Sequence, residues 1–415
     1  MSFSWFSKSK NRFIFFLGII GPGIITANVD NDAGGIATYS LAGAHFGYSL
    51  LWSLLPITLL LIMVQEMVAR MGVVTGKGLS DLIREEFGVR TTMILMLALL
   101  ITNLGNTMAE FAGLAASLEI FGVNKYLSVP IGAFLVWWLV VKGSYRSVEK
   151  IFLVACGIYT SYIISGFMAK PDWTRVFSET VLPTFHWDRN YLLMVVGIIG
   201  TTIAPWMQFY QQSAVVEKGI PIEGYRLARW DVIVGCLFAV VVAFFIVISC
   251  GATLHVNRIE IQTAEDAARA LAPLAGKYAS RLFALGLANA SLFAASILPL
   301  STAFYICEAL GWEAGVNKTF KEAPQFMWLY SGMVVLGGAT ILIPNIPLIL
   351  IMLLSQVLNG ILLPFILIYI LILINKKKLM GDYVNGRFFN LVSWGAVGIL
   401  IIITLLLIWA TVHQL

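Results

Sequence analysis

Four polar side chains interrupt the first apolar stretch of the chain. They are Asn28, Asp30, Asn31 and Asp32 in "TANVDNDAGGIATYS" (26–40), and Gly34 and Gly35 follow them. An acidic side chain at mid-membrane depth costs at least ~2.5 kcal/mol, so two acids within three residues need a compensating interaction. In an unbroken helix Asp30 and Asp32 point to different sides. On unwound backbone either can turn toward a common ligand. A break also frees carbonyls at the end of one half-helix and amides at the start of the next, and free carbonyls beside carboxylates attract cations. The local alternative is a cap, with Asp32 as N-cap of a helix beginning at Ala33 and the glycines allowing close packing.

A second interruption lies at "TTIAPWMQ" (201–208), where Pro205 removes a backbone donor. A cap needs no partner break, so the matching interruption favours cation binding. Glu110 sits deep in another apolar run, after Asn103 and Asn106 and with no basic residue near it. It is either a hydrogen-bonded protonated carboxyl or part of an ion path. Glu66 precedes Arg70 by one turn and reads as a structural ion pair; Glu119 and Glu308 fall near the ends of runs. No Walker loop, nucleophile elbow, HExxH or dinucleotide fingerprint is present, so the chain does not read as an enzyme. The cysteines (156, 236, 250 and 307) lie in apolar runs without paired spacing, which argues against a disulfide framework or a CxxC metal site.

The elements that must hold these residues are membrane spans. Hydrophobic residues make up 59% of the chain and charged ones 12%, with a mean hydropathy of +0.87. Apolar runs of about 20 residues or more recur. The basic start "SKSKNR" resembles that of a signal peptide, but no small-residue cleavage site follows, so the first span is expected to be retained. Eleven spans are expected, at roughly 13–44, 48–71, 91–121, 126–142, 147–169, 191–217, 228–253, 280–311, 326–343, 347–375 and 389–411. The joints 170–190 and 254–279 carry amphipathic pieces such as "IQTAEDAARAL", expected to lie on the surface as lids or interfacial turns. "FLVWWLV" and "APQFMWLY" read as lipid-facing or interfacial anchors.

With the N-terminus in the cytoplasm, 19 of the 27 basic residues fall on the inner side, which sets that orientation and puts the C-terminus outside. Interrupted helices five spans apart point to two inverted five-helix repeats, about 13–169 and 191–375, with an extra helix at about 389–411 in one transporter domain, 1–415. This is an all-α polytopic fold whose substrate site lies at the midplane between the broken helices. The expected partners are the lipid bilayer of the plasma (inner) membrane and a transported ion. No nucleic acid, obligatory protein partner or cofactor is implied.

The residues also carry a family resemblance. "GPGIITANVDNDAGGIATYSLAGAHFGYSLLW" (21–52) resembles the first helix and following turn of the Nramp divalent-metal transporters, whose pattern is GPG, then DPGN, then AGAxFGYSLLW. "QEMVARMGVVTGKGLSDLIREEFG" (65–88) resembles their second helix and its joint, and "MAEFAGLA" and "LSQVLNGILLPF" match further family patterns. The resemblance spans essentially the whole chain. It implies a LeuT-type fold, alternating access and divalent-cation uptake.

The departures from the pattern matter as much. Asp32 falls on the motif's metal-binding Asp, Ala33 on its Pro, Gly34 on its Gly and Gly35 on its metal-binding Asn. In the sixth span Ala204 stands for the family's metal-contacting Met and Trp206 for its His, while Met207 lies three residues too late to replace the Met. Without the soft thioether, which favours Mn or Fe over Mg, the implied site is oxygen-only. Its ligands are the Asp32 carboxylate, carbonyls near Asn31 and Thr201, and the amide of Gln356. Loss of two bulky ligands at Gly35 and Ala204 is expected to widen the cavity. A roomy, hard site suits partly hydrated Mg²⁺, with Mn²⁺ also carried, and the pattern resembles the Nramp-related magnesium transporter branch.

Proton coupling is expected to be absent. Thr107 occupies the position of a family Asp, span six carries Gln211 and Gln212 in place of histidines, span nine has no basic residue, and the histidines (45, 186, 255, 413) lie outside span six. Asp30, Glu110, Gln211 and Gln212 remain candidates for an ion path or for a layer behind the ion's ligands. Two other readings stand beside this one. One is a proton-coupled Mn²⁺/Fe²⁺ symporter. The other is a non-transporting, receptor-like Nramp domain, which is expected to carry a long soluble extension where this sequence ends at Leu415.

Overall fold

The computed structural model describes residues 21–142 and 156–412. The basic opening stretch, the starts of the first and fifth expected spans, and His413 lie outside the described residues. The first span is two helices, α1 (Pro22–Val29) and α2 (Ala33–Phe46). Then come α3 (Leu51–Thr75), α4 (Leu79–Phe87), α5 (Val89–Glu119), α6 (Lys125–Lys142), α7 (Thr160–Met168) and α8 (Trp173–Val181). The sixth span is again two pieces, α9 (Arg189–Thr202) and α10 (Pro205–Glu217). They are followed by α11 (Tyr225–Cys250), short helical pieces over 251–278, α12 (Ala279–Leu310), α13 (Pro324–Ile341), α14 (Leu348–Ile374) and α15 (Arg387–Val412). Among the described residues eight helical segments are long and apolar enough to cross a membrane, α9 and α10 together making one of them.

Both breaks have local causes. Asp32 is extended (φ −70°, ψ −177°), and its carboxylate accepts the Gly35 N–H at 2.6 Å, so a polar side chain starts α2. Such caps are worth about 1 kcal/mol. At the second break the residue before a proline is steered out of helical geometry. Ala204 is extended (φ −64°, ψ 136°), and Pro205 opens α10 at the position where its missing N–H costs nothing.

The broken helices lie deep in the bundle because their neighbours approach backbone to backbone. A Cβ on Gly23 of α1 would sit 2.6 Å from the Val232 nitrogen of α11, and one on Gly200 of α9 would sit 2.0 Å from the Gln356 carbonyl of α14. In a bilayer such close packing, rather than hydrophobic burial, holds helices together. α11 also supplies Asp231, whose carboxylate accepts the Gly21 and Gly23 N–H groups at 3.1 and 2.7 Å and so caps α1. Asp231 is an acid inside the seventh expected span, a signal available in the sequence and overlooked in favour of Glu66, Glu110, Glu119 and Glu308. Glu66 pairs with Arg70 at 3.1 Å as its spacing suggests. Trp138 and Trp328 face outward, as expected of anchors.

The 254–279 joint is a lid more than a surface turn. Thr263 and Asp266 form a capping box on the helix Ala264–Ala268, and the Ser165 hydroxyl donates to the Ala270 carbonyl. Ile261, Ala264 and Ala267 then face Ala33, Ile36 and Ala37 of α2 across a void of about 10 Å³. A single water needs about 10–15 Å³, so the lid closes tightly over the start of α2.

Candidate functional site

The site is assembled around the N-terminus of α2. Asp32 accepts the Gly35 N–H, and Glu110 of α5 reaches across to accept the Ala33 N–H at 3.2 Å. Unpaired amides and the helix dipole make this end a natural seat for negative charge. The two carboxyls are neighbours at this helix end. Like-charged groups this close are satisfied by one shared proton or one bound cation. Glu110 Oε1 has no partner. The cap is therefore shared: Asp32 starts the helix by taking the Gly35 N–H, and Glu110 takes the Ala33 N–H beside it.

A side chain at position 35, where the family pattern has Asn, does not fit this arrangement. The point where its Cβ would lie is 2.4 Å from the Asp30 carbonyl oxygen, 3.1 Å from the Thr201 hydroxyl and 3.4 Å from Asp32 Oδ1. Three oxygens thus surround the space that a side chain at position 35 would take. This corrects the expectation of a wider cavity at Gly35, because the Asp30 carbonyl and the Thr201 hydroxyl already lie against the point where a side chain would begin. Gly34 is equally tight, with Gln356 Nε2 occupying its Cβ position at 1.9 Å.

Gln356 therefore presents its amide nitrogen to the start of α2. Its oxygen accepts from Asn359 at 3.0 Å, and Asn359 exchanges hydrogen bonds with Asn106 of α5 at 2.9 and 3.1 Å. Asn103 continues this carboxamide ladder to Thr302 of α12 at 2.6 Å. Asn359, three residues after Gln356 on one helical face, is the member that sequence reasoning missed.

Asp30, Asp32, Gly35, Thr201, Gln356 and Glu110 come together here, Asn31 instead turns its amide to the Ala239 carbonyl of α11 at 3.2 Å, and Ala204 lies in the break just after Thr201. Asp32 is 5% exposed and Asp30 3%, so this conformation is shut to solvent. Asp30 contributes its carbonyl, and neither of its carboxylate oxygens has a hydrogen-bond partner. Gln211 and Gln212 stand apart and act as ties. Gln211 accepts from Thr26 of α1 at 2.8 Å, and Gln212 donates to the Lys77 carbonyl at 2.9 Å. Trp206 is buried against Tyr210, with ring centroids 6.2 Å apart. Thr107 meets α13 through a glycine: a Cβ on Gly337 would lie 2.6 Å from its methyl.

Comparison with known proteins places this geometry. A divalent metal cation transporter of Bacillus subtilis is 26% identical over 392 residues, spanning 91% of this chain and 88% of the relative. A manganese transporter of Eremococcus coleocola superposes with a TM-score of 0.74 at 22% identity, covering 100% of this chain and 88% of the other. A nucleobase-cation-symport-1 family transporter, Mhp1, superposes at 0.59 with 12% identity over 95% and 93% of the two chains. The fold is LeuT-like, all-helical and polytopic. The family model described as natural resistance-associated macrophage protein-like matches residues 23–410, and the chain belongs to the Nramp family of membrane transporters.

Proposed function

We propose that this chain is a divalent metal cation transporter that takes up a hard, partly hydrated ion, Mg²⁺ first and Mn²⁺ second, by alternating access. The observation that carries the reading is that the groups gathered beside the first break are oxygens: the Asp30 carbonyl, the Thr201 hydroxyl and Asp32 Oδ1 all lie close to Gly35, and Glu110 reaches the Ala33 N–H next to them. Carboxylate, carbonyl and hydroxyl oxygens suit Mg²⁺ and Mn²⁺, while the soft donor that would favour later transition metals is replaced by the methyl of Ala204. Magnesium keeps several waters and needs only one or two carboxylates, which Asp32 and Glu110 supply.

In this reading Asp32 is the direct ligand, with the carbonyls near Asn31 and Thr201 beside it. Gln356, turned nitrogen-first, would orient a water of the hydrated ion once its amide rotates. The broken helices open two repeats, about 13–169 and 191–375, and rocking of these would expose the site to either side in turn. The protein sits in the cell membrane with the N-terminus in the cytoplasm. Transport runs without protons, driven by the membrane potential, which contributes about 2.3 kcal/mol per charge per 100 mV. Two features support this: α13 carries no Lys or Arg, and Gly337 packs directly on Thr107.

The relatives favour a second reading, a proton-coupled Mn²⁺/Fe²⁺ symporter. The similar proteins are a divalent metal cation transporter and a manganese transporter, and the Glu110–Asp32 contact is a place where a proton can reside. Calorimetric titration of the purified protein separates the two. The first reading expects Mg²⁺ to bind in the presence of equimolar Mn²⁺ and Ala204→Met to move the preference toward Mn²⁺. Binding of Mn²⁺ alone, with no competition from Mg²⁺, would overturn the first reading and leave the second.

A further inference from the structure

A carboxamide can face an ion with either end, and the surroundings of Gln356 fix which end it shows. Each amide accepts through its oxygen and donates through its nitrogen, so a chain of amides has one direction once any member is pinned. The pin lies at the far end of the chain, on α12. Asn103 Nδ2 of α5 donates to the Leu298 carbonyl at 2.7 Å, and a backbone carbonyl can only accept. The Thr302 hydroxyl gives its own proton to that carbonyl at 3.2 Å, so its oxygen accepts from the same Asn103 nitrogen at 2.6 Å.

With its nitrogen committed, Asn103 leaves its oxygen for Asn106 Nδ2 at 3.3 Å. Asn106 Nδ2 also donates to Asn359 Oδ1 at 3.1 Å, and Asn359 Nδ2 donates back to Asn106 Oδ1 at 2.9 Å. The Asn359 nitrogen then meets the Gln356 oxygen at 3.0 Å, which leaves Gln356 Nε2 for the start of α2. There Nε2 and Asp32 Oδ1 lie 1.9 and 3.2 Å from the point that a Cβ on Gly34 would occupy. Ser355 agrees with this direction: its hydroxyl donates to the Met352 carbonyl at 2.9 Å, and its oxygen accepts from Nε2 at 3.3 Å.

None of the four amides is more than 1% exposed, so bulk water does not replace a bond that is turned round. Reversing Gln356 alone sets its nitrogen against the Asn359 nitrogen. Reversing all four ends with the Asn103 oxygen against the Leu298 carbonyl. We propose that Asn103, Asn106 and Asn359 are positioning residues that hold the Gln356 amide nitrogen-first, and that this ladder sets the affinity of the site from side chains set back from the ion. A nitrogen end repels a cation and cannot accept from its waters, whereas an oxygen end can do either. Contact between Gln356 and an ion therefore requires the ladder to give up a hydrogen bond, and a ladder without its pin turns freely. Such a role rests on uptake of a divalent ion at Asp32, as proposed for this chain, whichever ion that is.

The test is the concentration dependence of Mg²⁺ and Mn²⁺ uptake into liposomes for wild type, Asn103→Leu and Asn359→Leu, and for the same two changes made on Gln356→Leu. Asn103→Leu removes the pin and leaves Asn106, Asn359 and Gln356 to turn together with their mutual bonds intact. Its KM is expected to fall about threefold to tenfold, the equivalent of about one hydrogen bond. Asn359→Leu cuts the last link and should lower KM likewise while its maximal rate falls. Neither change should move KM further once Gln356→Leu has removed the amide. A KM that is unchanged or raised in both variants would overturn the ladder, and so would a drop that persists without the Gln356 amide, the result that loosened packing alone would give. Wild-type uptake of neither ion would overturn the transport reading and the ladder's role with it, whereas intact uptake with an unmoved KM overturns the ladder alone.

Discussion

The two helix breaks use the same device and carry opposite loads. At the first, residues 30–32 bring two carboxylates and a carboxamide, and the next helix is capped by Asp32 and by Glu110 from another helix. At the second, Ile203 and Ala204 are apolar and the next helix opens on proline without a side-chain cap. The second break gives the site only the Thr201 hydroxyl and backbone. A break by itself thus supplies carbonyls and amides, and the side chains placed in it decide what ion it can hold. Here all the charge sits on one side, and the second break brings none.

Removing the charge from the loaded break should have the largest effect. Asn caps a helix about as well as Asp, so Asp32→Asn keeps the start of α2 and removes the anionic ligand. Mg²⁺ uptake in liposomes is expected to fall about 100-fold or more, as outer-shell losses alone cost 10–100-fold at metal sites. Uptake within about twofold of wild type would reduce Asp32 to a cap. Loading the empty break comes next. Ala204→Met should shift the Mn²⁺-over-Mg²⁺ preference by about tenfold, or about 1.4 kcal/mol, in competition uptake; an unchanged ratio would remove the second break from the ion's surroundings.

Smaller effects sharpen the contrast. Gly35→Asn restores the family side chain to the loaded break but pushes it against the Asp30 carbonyl, 2.4 Å from the new Cβ. We expect a loss of about 1–3 kcal/mol, seen as a lower Tm, and weaker uptake; a stable, fully active variant would contradict the close approach. Asn359→Leu leaves Asn106 without its reciprocal partner and frees the Gln356 oxygen, at about 1–3 kcal/mol of stability and with transport reduced less than in Asp32→Asn. Lys77→Ala breaks an exposed pair with Glu85, side chains 46% and 43% exposed, and should change stability by less than about 1 kcal/mol.

Much of this contrast was readable beforehand, for physical reasons. Acids in an apolar run and a proline within another are strong local signals, so both breaks fall inside the expected intervals 28–35 and 201–208. Glu66 and Arg70 meet because one helical turn separates them. What depends on distant chain meeting was not readable. The Ala33 N–H finds Glu110 across 77 residues, and the Gly21 and Gly23 amides find Asp231 across more than 200. Nor does residue type give the direction of a backbone carbonyl, which is why Gly35 suggested an empty space where the Asp30 carbonyl and Thr201 hydroxyl converge. Gln211 and Gln212 looked like replacements for proton-carrying histidines, yet their hydrogen bonds go to Thr26 and Lys77 and tie helix ends together.

The central claim is that an oxygen-only site, charged by Asp32 and Glu110 at the first break and not by the second, passes a hard divalent ion without protons. The most direct test is uptake of Mg²⁺, Mn²⁺ and Ca²⁺ side by side into liposomes holding the wild-type protein, with an internal pH dye and an imposed membrane potential. The account expects Mg²⁺ and Mn²⁺ to enter, at rates set by the potential, with no internal acidification. Entry of Mn²⁺ without Mg²⁺, or acidification in step with the metal, would contradict it.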